Sequence, residues 1–481
     1  MMRTSASFYH ELSNSDILRV HQASMALLDE VGFLILHRKA LEQLEAAGAI
    51  VDFDEKRVRF SNQMIKDALL NLPKRFLCAG IDSTYDLTMD ADRKYCAVRS
   101  AAGSIAYYSP TLNQLRPLKR QDCINYARLV DALPNIDILG ALTPQDVPPE
   151  TYDIHTLKDM LENNRKHIFA LTKDSRNLEF QMEMMTVVAG SREELARRPI
   201  CSGIACITDP LAIHEDEIER LLLYGKYHIP VFIPLTPIMG ATAPYTVAGA
   251  LTQTNAEFLA SIVLIHFLCP GLPTWYYVLP TAMDMRSSAF IMGSSPETIL
   301  LATGAIQMAR YYNVPSTITT GSSSCCQTHQ LMFHLGTSSF LTFAAGASMI
   351  TGAGGLESVK FCSPEVLIIF DEVIAQFRTI LGGYEINDHT IGLASMQRVQ
   401  AKGNYLEDAQ TLSFLREYPH FKPSMFQWYE RENENVKMKT IFGRAENRLE
   451  YILKNHEVPE LSSNVRRELS KIVKAADRQL V

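Results

Sequence analysis

Apolar residues along this chain change their spacing twice. Ile17, Val20, Met25, Leu27, Leu28 and Val31 form the broad stripe of an amphipathic helix that runs to about Glu30, and Ser15 is placed to cap it. Two more helices are expected over residues 39–47 and 62–72, the last closed by Pro73. This first stretch reads as a helical scaffold. From about residue 95, short β-rich apolar runs alternate with helical segments. The runs cover residues 96–100, 136–142, 167–172, 200–207, 231–235, 274–279, 315–319 and 347–351. Helices are expected near 121–133, 151–164, 177–190, 214–227, 246–267, 296–312, 328–345 and 364–381. Continuous apolar strands separated by helices mean a parallel sheet covered on both faces. Eight such units are the arithmetic of a (β/α)8 barrel, a TIM barrel of the α/β class, with a doubly wound open sheet as the alternative.

Helix starts support these boundaries. His214 precedes the acids Glu215, Asp216 and Glu217, which complement a helix N-terminus. Ser295-Pro296-Glu297 and Ser363-Pro364-Glu365 each read as cap, first-turn proline and first-turn acid. After Gly383 the chain is polar and helical again. An aromatic-rich segment runs from Phe414 to Tyr429. A last helix begins near Ser463, with Leu469, Ile472 and Val473 inward and Arg466, Arg467, Lys471 and Lys474 on a solvated face. The expected organisation is an N-terminal helical extension (1–94), the barrel (95–383) and a C-terminal helical extension (384–481).

Composition narrows the function. Of 481 residues, 47% are hydrophobic and 21% charged, as in an ordinary globular protein. Lys+Arg number 46 against 53 Asp+Glu, a net charge of −7 that argues against nucleic acid as a partner. The 9 cysteines are an odd set, mostly in apolar runs, and read as reduced thiols of a cytoplasmic protein. The first residues lack the apolar core of a signal peptide, and the apolar stretch Leu259 to Leu272 reads as too short to span a bilayer, so no membrane is expected.

In a barrel, chemistry belongs where strands end and loops begin. Here those loops are small, neutral and rich in glycine, and small residues let a flat partner approach the backbone. Gly352, Gly354 and Gly355 after the eighth run are candidate cofactor-binding positions, with plain turn glycines as the alternative. Cys325, Cys326 and His329 have the ligand types of zinc but a poor spacing, and no intrinsic metal is expected. Tyr107, Tyr108, Tyr152, Phe232, Trp275, Tyr276 and Tyr277 lie near the expected rim. Aromatic faces are the physical means of holding a quaternary ammonium, which has no N–H to donate. Tyr107, Tyr276 and Tyr277 are the cage candidates, although adjacent Tyr276 and Tyr277 cannot both face the barrel axis.

Several stretches carry a family resemblance: PQDVPPETYDIHTLKDML at 144–161, TDPL at 208–211, AAGASMITGAGGLES at 344–358, SPEVLIIFDEVIAQF at 363–377 and GNYLEDAQTLSFLRE at 403–417. They resemble the trimethylamine:corrinoid methyltransferase family, in its branch without pyrrolysine. The resemblance implies a (β/α)8 barrel with added helices and methyl transfer to the corrinoid (cobalamin) of a cognate partner protein. It also implies a quaternary amine substrate, with glycine betaine first and proline betaine second. The seventh loop, SSSCCQTHQLMFH at 322–334, departs from the family: Gln330 is retained, and His334 stands where an acid is expected.

Within that reading the substrate carboxylate is assigned to Arg99 or His329, because a buried carboxylate needs charged or hydrogen-bonding donors. Gln330 joins the substrate-binding set, and Asp146, Glu357 and His334 are the candidate orienting groups. No protein nucleophile is expected. A zinc-dependent corrinoid methyltransferase and a non-catalytic binder of betaines or of the corrinoid protein are the competing readings. The apolar C-terminal faces point to a homo-oligomer.

Overall fold

The computed structural model describes residues 9–91, 95–110, 112–324, 328–401, 403–417, 420–426 and 440–481. Among these, eight parallel staves close into a barrel. They are β1 (Ala97–Ser100), β2 (Ile138–Gly140), β3 (His167–Phe169), β4 (Cys201–Ile204), β5 (Val231–Phe232 and Pro234–Leu235), β6 (Tyr276–Val278), β7 (Ser316–Thr319) and β8 (Met349–Ala353). Closure is direct: β8 pairs with β1 through Met349 and Ala97, and the two halves of β5 pair with β4 and β6 on either side of Ile233. Every expected strand is present, mostly trimmed at its ends.

The surrounding helices are α1 (Arg120–Ala132), α2 (Tyr152–Glu162), α3 (Ser175–Ala189), α4 (Glu215–Tyr227), α5 (Val247–Leu268), α6 (Pro296–Tyr311), α7 (Thr328–Ala344) and α8 (Pro364–Gly382). Local chemistry sets their starts. Ser295 and Ser363 cap α6 and α8 by accepting from the Thr298 and Val366 amides, each followed by proline. At α3 the Asp174 carboxylate accepts from the Arg176 and Asn177 amides. The apolar stretch expected to be too short for a bilayer belongs to α5, whose 22 residues are long and apolar enough to cross one. Its apolar window is 78% buried inside the fold, where it serves as a core helix.

The N-terminal extension is not only helical. Ser13, rather than Ser15, caps the first helix (Asn14–Glu30), because Ser13 has the extended backbone of a cap and accepts from the Asp16 amide. A strand at Phe33–Ile35 pairs in parallel with Ala212–Ile213, just after β4. A hairpin of Arg75–Cys78 and Leu87–Asp90 pushes Phe76, Cys78 and Met89 against Ala97, Trp275 and Met349, at the strands' N-terminal ends. The barrel is thereby plugged from below.

At the opposite end, short strands stitch the loops together. Ala106–Ser109 and Gln114–Pro117 form a hairpin whose first strand also pairs with Phe361–Cys362 after β8. Ile238–Met239, Thr281–Asp284 and Ala289–Met292 form a three-stranded sheet that joins the loops after β5 and β6. The C-terminal helix Ser463–Leu480 docks Leu469, Ile472, Val473 and Ala476, and its Asp477 accepts from Thr151 and binds His155 at the start of α2.

Candidate active site

Strand residues alternate, so Ala97 and Arg99 of β1 face the barrel axis while Val98 joins the core under the helices. Along the axis, Ile138, Phe169, Phe232, Trp275, Tyr277 and Met349 form one apolar cluster. Trp275 stacks on Phe232 with centroids 3.9 Å apart, and Phe169 meets Phe232 edge-on at 5.0 Å. Ala102, Leu171, Ile204 and Leu279 pack against this cluster at the C-terminal strand ends and are only partly buried. They contribute apolar surface at the mouth of the barrel.

One charge sits in this interior. Arg99 is 4% exposed, and its guanidinium lies over the Phe169 ring at 3.8 Å, with Phe232 and Tyr277 at 5.2 and 5.6 Å. Its Nη2 donates to the Tyr277 hydroxyl at 3.1 Å. That hydroxyl also bonds Thr319, which bonds Thr351, in a row of side-chain oxygens across β6, β7 and β8. Nε and Nη1 of Arg99 have no acceptor among the described residues. Burial pulls the guanidinium below its ordinary value, and Tyr277 opposes that. An arginine does not shed its proton in a protein, so the charge remains.

Other expected site residues go elsewhere. Tyr276 points outward: its hydroxyl donates to Asn255 of α5 and its ring packs on Phe258, so it forms no part of a cage on the barrel axis. Tyr107 is also outside the barrel. Its hydroxyl donates to Glu365 at 2.9 Å, its ring lies under Arg116, and it lines a cavity of about 200 Å³ against Leu449 and Leu453. Asp146 accepts from the Arg120 amide at 2.7 Å and so caps α1 rather than orienting a ligand. His329 and Gln330 are exposed in the first turn of α7, which does not suit the buried carboxylate contact expected of His329. Cys325 and Cys326 lie outside the described residues. Among the described residues, no cluster of three or more His, Cys, Asp or Glu could hold a metal.

The glycines after β8 serve the chain itself. A Cβ on Gly352 would meet the Thr320 carbonyl at 2.6 Å, one on Gly354 would meet Leu367 at 2.9 Å, and one on Gly355 would meet Val359 at 2.7 Å. Their small size is taken up by internal packing, against the expectation of cofactor contact. Glu357, Ser358 and Val359 follow with φ of 43°, 56° and 63°, a left-handed run that is costly for a β-branched residue. This strained loop is held in place. The Glu357 and Ser358 amides donate to Ser324 and Ser322, and Ser104 donates to Val359. His334 Nδ1 bonds Ser322 Oγ at 2.9 Å, so it braces the loop after β7, and partial burial lowers its pKa.

Position by position, the axis cluster and its hydroxyl row include Phe169, Thr319 and Thr351, which sequence reasoning missed. The alternation of β3, β7 and β8 could have found them. A second group left no local signal. The Asp209 and Glu257 carboxyls face each other in the wall beside the mouth, and burial, followed by repulsion from Asp209, raises Glu257 well above the usual carboxylate range. Glu257 Oε1 accepts from the Leu211 amide and from Gln253, while Asp209 accepts from the Thr236 amide.

The chain matches the family described as trimethylamine methyltransferase (MTTB) over residues 1–480. It belongs to that family. It is 29% identical over 406 residues to a trimethylamine methyltransferase of Desulfitobacterium hafniense, covering 84% of this chain and 81% of the relative. A glycine betaine methyltransferase of the same species is 24% identical over 484 residues, covering 97% and 96%. The solved monomethylamine methyltransferase of Methanosarcina barkeri superposes with a TM-score of 0.50 at 13% identity, covering 97% of this chain and 94% of that one. That likeness concerns the fold, and it agrees with the barrel. The protein is a methyltransferase of that family.

Proposed function

We propose that this family member moves a methyl group from a quaternary amine, glycine betaine or a similar betaine, to the Co(I) corrinoid of a cognate partner protein. The observation that carries the reading is the apolar surface of Ala102, Leu171, Ile204 and Leu279 at the mouth, above an aromatic interior. Methyl groups on a quaternary nitrogen have no hydrogen bond to offer, so an apolar wall suits them. The nitrogen keeps the electron pair of the broken N–CH3 bond and leaves as a neutral tertiary amine, so no proton has to be delivered. The chain's contribution is to orient the substrate and exclude water.

The rim suits a flat macrocycle. A Cβ on Gly321, at the end of β7, would meet nothing within 4 Å, and one on Gly103, after β1, would meet only Leu171 at 3.8 Å. At Gly103, which is exposed, backbone therefore borders open space beside the mouth. A bound corrinoid would supply Co(I) as the nucleophile that takes the methyl group. Cys123 and Cys201 are buried and form no disulfide, which suits the reducing cytoplasm that such chemistry needs.

The test is to incubate the protein with Co(I) cobalamin and a panel of betaines. The expected result is a change in the visible spectrum of the cobalamin together with a tertiary amine by mass spectrometry. Absence of both across the panel would refute the proposal.

A further inference from the structure

The charge on Arg99 has no protein counter-ion. Among the described residues, no carboxylate forms an ion pair with it, and its one polar partner is the Tyr277 hydroxyl. Two of its N–H-bearing nitrogens, Nε and Nη1, are buried and unpartnered. A buried charge without a partner is costly, and a guanidinium presents its donors in a fork that matches a carboxylate. The aromatic faces around it are already covered by the guanidinium, at 3.8 Å over Phe169. A substrate ammonium therefore has no place at this depth and belongs in the apolar mouth above. The interior is thus divided, with an anion-seeking floor below and a methyl-compatible wall above.

We infer that Arg99, held by Tyr277, is an anion subsite that selects zwitterionic quaternary amines, carrying a carboxylate, over simple methylated amines. This deepens the proposed function and rests on it for the identity of the methyl donor. Binding of the anion itself does not depend on that reading. Thr319 and Thr351 are positioning residues, because they fix the Tyr277 hydroxyl that fixes the guanidinium.

Isothermal titration of the full-length protein, with no corrinoid present, tests the subsite. The probes are glycine betaine, tetramethylammonium (the same cationic head without a carboxylate) and acetate. The wild-type protein is expected to bind glycine betaine on the order of tenfold or more tightly than tetramethylammonium, as for a charge-assisted hydrogen-bonded pair. Arg99→Met is expected to erase that preference by weakening betaine and acetate while leaving tetramethylammonium unchanged. Arg99→Lys is expected to fall between. Tyr277→Phe, which keeps the charge, is expected to weaken betaine by a smaller factor. Equal binding of betaine and tetramethylammonium by the wild-type protein overturns the inference without any variant, and so does a preference that survives in Arg99→Met. Binding of acetate at Arg99 without methyl transfer from any quaternary amine would keep the subsite and remove the transferase reading. Methyl transfer from tetramethylammonium and betaine alike would do the reverse.

Discussion

Tyr276 and Tyr277 are chain neighbours with opposite surroundings, and the difference has measurable consequences. Tyr277 touches Arg99 on the axis, whereas Tyr276 bonds Asn255 beneath α5. Tyr276→Phe is expected to leave betaine affinity unchanged and to cost about 1 kcal/mol of stability, the usual worth of one buried hydrogen bond. Chemical denaturation and titration calorimetry measure the two effects. Period-2 alternation was enough to show that only one of these tyrosines could face the axis, but not which one. That choice depends on the register of β6 against β5 and β7, set by pairs such as Pro234 with Tyr277. Arg99 was legible as a buried cation at a strand end. Its lack of a partner was not, because a missing counter-ion is a property of all the surrounding staves at once.

At the scale of elements, the wall beside the mouth holds a proton. Glu257 on α5 is raised well above its ordinary value by burial and by Asp209. The folded protein therefore keeps a proton that the unfolded chain releases above a pH near 4.5. Folding takes up that proton, so this contribution to stability falls as pH rises past the unfolded value. Glu257→Gln mimics the protonated form permanently and keeps an acceptor for the Leu211 amide. It is expected to melt higher than the wild-type protein at pH 8, with the gain shrinking toward pH 5, as read by calorimetry at both pH values. The eight strands and eight helices of the barrel were legible because apolar runs and serine–proline caps are local signals. The hairpin under the barrel and the small rim sheets were not. Their strands are two to four residues long and stand outside the repeating alternation of strand and helix that marks the barrel.

For the whole molecule, both extensions are fastened to the barrel. Leu469 of the last helix is fully buried, and α2 and α3 lie beneath that helix. Leu469→Ala is expected to cost about 2–5 kcal/mol, the range for a large-to-small change in a packed site, with methyl transfer unchanged at permissive temperature. Denaturant midpoints check the first part and the cobalamin assay the second. The N-terminal extension is fastened differently, by pairing Leu34 with Ala212 and Ile35 with Ile213. During synthesis, the partners of Leu34 and Ile35 emerge some 180 residues later, which at ordinary ribosomal speeds is a delay of roughly ten to forty seconds. Phe76 and Met89 wait even longer, since the plug they form needs Trp275 and Met349. The nascent chain thus presents a bare strand edge until residue 213 has emerged, and an unsheltered Phe76 until residue 275 has. The first segments to leave the ribosome depend on partners made long after them.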